Sequence, residues 1–316
     1  RRGAALGLSS AAVGGVVAAS GKTAKAAPFA LRQERSLNIL QASYFVPAGQ
    51  EFFTQAAEEW GSQNGVDVTT DYVAWPDLQP RIAAAVEGGS GPDVVEMWDT
   101  WPYLYYENMV PVEELAQEVS EEYGGYYDWV INTAAVDRAW YSVPHGASSA
   151  AYTYRISLFE EAGIEDPKNN FPATYEELFA VGKTLKEMGK PLGQAFGQSL
   201  GDPPAFAYPY MWSYGAMERT EDGQVAINTP EFVEGLSQFI TAWTDAYDES
   251  GLAWDDGANN RAFLSDQVSA TINGSSIYLA ALDAAAGAST LDYEVVVDPT
   301  DIWHAAYPSG PSGQFS

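Results

Sequence analysis

Residues 66–100 read VDVTTDYVAWPDLQPRIAAAVEGGSGPDVVEMWDT, and their order decides the fold. The β-branched run VDVTTDYV at 66–73 predicts a strand, LQPRIAAAVEGG a short helix closed by Gly88 and Gly89, and PDVVEM the next strand. Upstream, SLNIL at 36–40 predicts a first strand, and AGQEFFTQAAEEW sets Phe52, Phe53, Ala56, Ala57 and Trp60 at helical spacing. Strands alternating with helices specify an α/β class with a mostly parallel sheet.

The alternation resumes farther on. AYTYRISLFEEAG predicts a strand and a short helix ended by Gly163. Thr174 with Glu177 makes a capping box, and Leu178, Val181 and Leu185 continue one apolar face. Thr229 and Pro230 start a helix carrying Phe232, Leu236, Phe239, Ile240 and Trp243, and QVSATI and YEVVV predict two more strands. Between the two blocks lies the polar, small-residue segment YSVPHGASSA, residues 141–150. A short connection between similar blocks suggests a hinge beside a cleft.

The N-terminus runs from Arg1-Arg2 through an uncharged small and apolar stretch to Ala24-Lys25-Ala26, the order of an export signal with a twin-arginine-like start. Residues 1–26 are therefore set apart from the fold, and no later stretch approaches a membrane span. The chain does not start with Met and closes on the loop-like YPSGPSGQFS, so both ends read as cut. Cysteine is absent, which excludes disulfides, thiolate metal sites and a cysteine nucleophile. Without the signal, 11 basic residues face 43 acidic ones, a formal charge of −32 that repels nucleic acid and anionic membranes. The two histidines, His145 and His304, are isolated from one another, so neither a metal nor a cofactor is expected.

Ligands of open α/β sheets sit beyond the carboxyl ends of the strands. After the first strand come Tyr44 and Phe45, after the second Trp75, after the third Trp98, Asp99 and Trp101, and after SATI come Asn273, Gly274, Ser275 and Ser276. A sugar has C–H faces that suit an aromatic plate and hydroxyls that suit carboxylates and amides at the rim. The rings at these strand ends therefore point to carbohydrate, with core packing as the alternative for each ring taken singly. His145 in the hinge is a further candidate contact. Asn273-Gly274-Ser275 also spells a glycosylation triplet, though its place after a strand favours a turn.

These residues resemble a known family. GPDVVEMWDT, YSVPHGASSAAYTYRISLFEEAGI, FPATYEELFAVGKTLKE and FLSDQVSATINGSSIYLA stand in the order and spacing of the extracellular solute-binding proteins of ABC importers, in the group similar to maltose-binding protein. The resemblance implies a two-lobed type II periplasmic-binding-protein fold with a ligand cleft between the lobes. It implies lobe I at 36–143 after a linker at 27–35, a hinge at 144–149, lobe II at 150–306, and at 307–316 the start of a return to lobe I. Trp98 and Asp99 match its ligand-contacting stretch and Asn273 to Ser276 its second-lobe loop, where Ser276 replaces a common tryptophan. Asp202, Phe206 and Trp212, around AYPYMWSYGA, match another contact region.

The function so implied is an exported, soluble, non-catalytic and monomeric protein that captures a sugar or oligosaccharide and presents it to the transmembrane subunits of an ABC permease. A secreted glycoside hydrolase, and the same fold holding a polyamine, another cation or a ferric complex, are the alternatives.

Overall fold

The computed structural model describes residues 35–136, 139–146, 150–197 and 199–315. The expected export signal, most of the linker and residues 147–149 of the expected hinge lie outside these.

In the first lobe, β1 (Arg35–Ala42) is followed by α1 (Pro47–Asn64), β2 (Val66–Val73), α2 (Trp75–Gly88) and β3 (Val94–Val95). The sheet order is β2-β1-β3 and both pairings are parallel, with Ile39 of β1 opposite Thr70 on one side and Val94 on the other. Both α1 and α2 end on glycines in the left-handed region, Gly65 and Gly89. Such caps let the chain reverse and re-enter the sheet in the same direction. The consequence for function is geometric: Ala42, Val73 and Val95 finish on one edge.

The lobe continues through α3 (Pro102–Tyr105), α4 (Glu113–Tyr123), α5 (Asp128–Ala134) and the antiparallel pair β4 (Ala135–Val136) and β5 (Ala139–Trp140). Its core gathers Leu40, Ala42, Leu78, Ile82 and Trp101.

The second lobe contains β6 (Ala151–Arg155), α6 (Ile156–Glu161), α7 (Tyr175–Glu187), α8 (Asp202–Ser213), α9 (Pro230–Ala246), α10 (Ala258–Leu264), β7 (Ala270–Asn273), α11 (Ser276–Ala285) and β8 (Ile302–Ala305). Its core is ring-rich: Tyr152, Phe159, Tyr175, Phe206, Tyr210 and Tyr247 are all almost fully buried. The capping box of α7 forms as expected, with Glu177 N donating to Thr174 Oγ1 at 3.2 Å and Thr174 N donating to Glu177 Oε2 at 3.1 Å. Thr174→Ala is expected to lower the unfolding free energy by about 1 kcal/mol, read as a lower urea midpoint at unchanged slope.

Two expectations are corrected. The second-lobe sheet, β7-β6-β8, is antiparallel at both pairings. Several helices intervene between β6 and β7, so helix–strand alternation does not fix the direction in which the chain returns. YEVVV at 293–297 forms no strand. The places on either side of β6 are taken by β7 and by β8, which the sequence reading missed, and Val296 N instead donates to Leu264 O at 2.9 Å.

Beyond the sheet, Arg155 ties three segments together. Its Nε meets Asp301 Oδ2 and its Nη1 meets Asp266 Oδ1, both at 2.6 Å, while Lys190 Nζ reaches the other oxygen of Asp266 at 2.6 Å. Asp266 has φ 64°, a left-handed conformation for a residue with a side chain, and this network holds it there.

Candidate functional site

Each strand of the three-stranded first-lobe sheet is followed closely by an aromatic side chain, Tyr44 after β1, Trp75 after β2 and Trp98 after β3. Trp75 and Trp98 meet edge to face with centroids 5.1 Å apart, and Tyr44 stands edge-on to Tyr72 at 6.2 Å. Glu96 organises this edge. Its N–H donates to Leu40 O at 2.8 Å, its Oε2 accepts Ala42 N at 2.9 Å, and its Oε1 lies 3.5 Å from His145 Nε2. Burial, then the neighbouring Glu96 and Tyr72, push the Tyr44 hydroxyl above its usual value.

The hydrogen bond to Glu96 raises the His145 imidazole above its ordinary value, against the opposing effect of burial. A raised value means that the charged pair forms fully at low pH and is lost as pH rises through the folded value. Wild type and His145→Ala are therefore expected to differ in melting temperature at pH 5 and to converge by pH 9, by a small amount because the imidazole is 64% exposed.

The second lobe comes to this edge through residues 200–202. Leu200 packs against the first-lobe core cluster, and a Cβ added to Gly201 would stand 3.4 Å from Trp98 Cη2. Behind the turn, Asp256 accepts N–H bonds from Leu200, Gly201 and Asp202. At the end of β7, Asn273 Nδ2 donates to Asn260 Oδ1, Asn260 Nδ2 donates to Ser276 Oγ at 2.9 Å, and Ser276 Oγ donates to Asn273 Oδ1 at 2.8 Å. This closed ring of bonds braces the loop and occupies the Asn273 amide, which argues against its use as a glycosylation acceptor.

The expected site residues thus divide. Tyr44, Trp75, Trp98 and His145 gather around the first-lobe edge, and Asp99 is exposed beside them. Asp202 stands at the start of α8, next to the turn that meets Trp98. Gly274 and Ser275 keep solvent contact while Asn273 is buried. Trp101, 6% exposed, and Phe206, 1% exposed, are core residues with no face to offer a ligand. Trp212 stacks on exposed Tyr208 at 5.6 Å and directs its indole N–H at Glu218 Oε2, 3.4 Å away.

Sequence reasoning missed Glu96, Leu200, Gly201, Asp256 and Asn260. Glu96 lay within the predicted strand PDVVEM, where an inward carboxylate was the available signal. Asp256 sits in WDDG, a turn pattern at the start of a helix whose reach back to residue 200 no spacing reveals.

A groove of about 460 Å³ lies away from this edge on a first-lobe flank between Asn38, Asp71 and Arg81. Among the described residues, no group of three His, Asp or Glu is arranged to hold a metal ion, and no helix is long and apolar enough to cross a membrane.

Comparison with known proteins decides the family, because the family model for bacterial extracellular solute-binding proteins matches residues 47–310. The chain belongs to that family. A protein of Brucella abortus (strain 2308) that carries a binding-protein name is 25% identical to this solute-binding protein over 217 residues, 67% of this chain and 51% of its own length. A protein of Escherichia coli (strain K12) named for an ABC transporter periplasmic-binding role is 23% identical over 168 residues, 50% of this chain and 37% of its own. The chain spans about half the length, or less, of these curated relatives.

Solved structures establish the two-lobed fold. Maltose-bound MalE3 of T. maritima superposes with a TM-score of 0.72 at 18% identity, over 89% of this chain and 69% of that one. A sugar transporter from Arthrobacter chlorophenolicus A6 with bound laminaribiose gives 0.68 at 17% identity, over 88% and 68%. A solute-binding protein from Agrobacterium radiobacter K84 in complex with ribitol gives 0.68 at 20% identity, over 88% and 68%.

Proposed function

We propose that this chain captures a sugar or polyol between its lobes, against the Trp75–Trp98 pair, and delivers it to an ABC permease without chemical change. The contact of Trp98 with the Leu200–Gly201 turn carries the reading. It brings an aromatic plate of one lobe beside a turn of the other whose next residue, Asp202, carries a carboxyl, a combination suited to C–H faces and hydroxyls together. Tyr44, Asp99 and His145 extend the first-lobe wall, and Asp202, Gly274 and Ser275 the second. The ligands of the structural neighbours, maltose, laminaribiose and ribitol, support the same class of solute.

The protein acts outside the cytoplasm as a monomer, and the permease reads the liganded arrangement of the lobes. Ligand then needs only to favour that arrangement over the free one.

A cationic solute is the second reading, favoured by Glu96, Asp99, Asp202, Asp255 and Asp256 near the two walls. Calorimetry with maltose, laminaribiose, ribitol and mannitol, against spermidine and ferric citrate, separates the two. Binding confined to the sugars and polyols supports the proposal, and binding confined to spermidine or ferric citrate overturns it. Turnover of an oligosaccharide, abolished by replacing a site carboxylate, would overturn the non-catalytic part.

A further inference from the structure

The first turn of α8 is held from outside the helix. Asp256 precedes α10, is 7% exposed, and accepts three successive backbone N–H groups: Leu200 at 3.1 Å on Oδ2, then Gly201 at 3.1 Å and Asp202 at 2.8 Å on Oδ1. A carboxylate that takes N–H donors at a helix N-terminus makes charge-assisted bonds and meets the positive end of the dipole. Gln194 Nε2 steadies the same turn by donating to Asp202 O at 3.1 Å. The residues so held are the ones that reach the first lobe: Leu200 packs on its core cluster and Gly201 faces Trp98.

A second acid stands inside this arrangement. Asp202 Oδ2 is buried and has no hydrogen-bond partner among the described residues. Among the described residues, the titratable groups facing it are Asp255 and Asp256 from the turn before α10 and the Tyr307 phenol from the segment after β8; Gln194 is an uncharged neighbour. None of these is a cation. Burial, then Asp256 and Asp255, push the Asp202 carboxyl well above the usual carboxylate range. Ionising it would leave negative charge on the buried Oδ2 beside the Asp256 carboxyl, and the turn would have to open to hydrate that oxygen.

We propose that Asp256 is the positioning residue that fits the first turn of α8 to Trp98, and that this hold is proton-linked through Asp202. The inference rests on the interlobe reading of the site, and it names the group that regulates it. Because the folded state binds the Asp202 proton more tightly than the unfolded chain, the hold is complete below the ordinary value of 3.8 and is lost as pH rises through the folded value.

Amide hydrogen exchange of residues 200–202 in the full chain without ligand, corrected for intrinsic rate, tests this from pH 5 to pH 9. Wild-type protection is expected to fall by about tenfold or more across the range, and Asp256→Asn to lose about that much already at pH 5. Asp202→Asn, a neutral isostere, is expected to keep protection constant with pH. Unchanged protection in Asp256→Asn, or a wild-type pH profile in Asp202→Asn, overturns the proposal; should Asp256→Asn fail to fold, the Asp202→Asn profile decides alone. Absence of maltose binding beside the expected exchange pattern counts against the sugar reading and still supports the positioning role.

Discussion

Trp98→Ala is expected to weaken binding of whichever sugar or polyol gives the tightest heat signal by about a hundredfold, about 2.7 kcal/mol. Three features place the effect there. Trp98 is the first-lobe ring that reaches the second lobe at Gly201, it is only half-buried and so has surface left for a ligand, and it is set edge-on by Trp75. Truncation removes the plate and also the contact that brings the Leu200–Gly201 turn to the first lobe. A large loss of affinity at nearly unchanged melting temperature is the expected signature. Trp101→Ala supplies the contrast: its ring is sealed against Leu40, Leu78 and Ile82, so its loss should lower stability by about 3–5 kcal/mol before it affects recognition. Unchanged affinity in Trp98→Ala would remove the Trp75–Trp98 pair from the site.

The difference between those two tryptophans also marks the limit of what the sequence discloses. WDTW places both rings after a strand, and local pattern gives no reason to separate them. What separates them is the turn at Pro102, which starts α3 and folds Trp101 back under the sheet while Trp98 stays at the edge. Strands β1 and β2 and the caps of α2, α7 and α9 were legible because each depends on residues a few positions apart. The α1 pattern was legible as a helix but not as burial: Phe52 is 74% exposed, and Phe53 and Trp60 line an apolar groove with Leu37 and Ile39. Long-range pairings were hidden for the same reason. Nothing near Glu96 announces Ala42 or His145, and nothing near Asp256 announces the turn at 200–202.

Arg155→Ala is expected to cost about 2–4 kcal/mol of folding stability, below the range for a fully buried pair because the Asp266 side chain is a third exposed. The guanidinium satisfies Asp266 and Asp301 together, and its own side chain is 14% exposed. Removing it leaves two carboxylates facing one partner, Lys190, on the Asp266 side alone. Asp301 would still accept Ser157 N at 2.7 Å and Ser157 Oγ at 2.7 Å, which limits the loss on its side. Asp266 keeps Lys190 but loses its Arg155 anchor, and it also sits in the left-handed region, so the strain at that residue is released when that anchor goes. The bonds and charges of Lys190 and Arg155 hold the Asp266 carboxyl below its usual value, in spite of burial acting the other way. A lowered folded value means that this stabilisation is present above the ordinary carboxylate value of 3.8 and disappears as pH falls through the folded value. Urea midpoints of wild type and Arg155→Ala should therefore differ most at pH 6–7 and approach one another near pH 2–3. A constant difference across that range would show that the loss comes from packing of the arginine stem rather than from its charge.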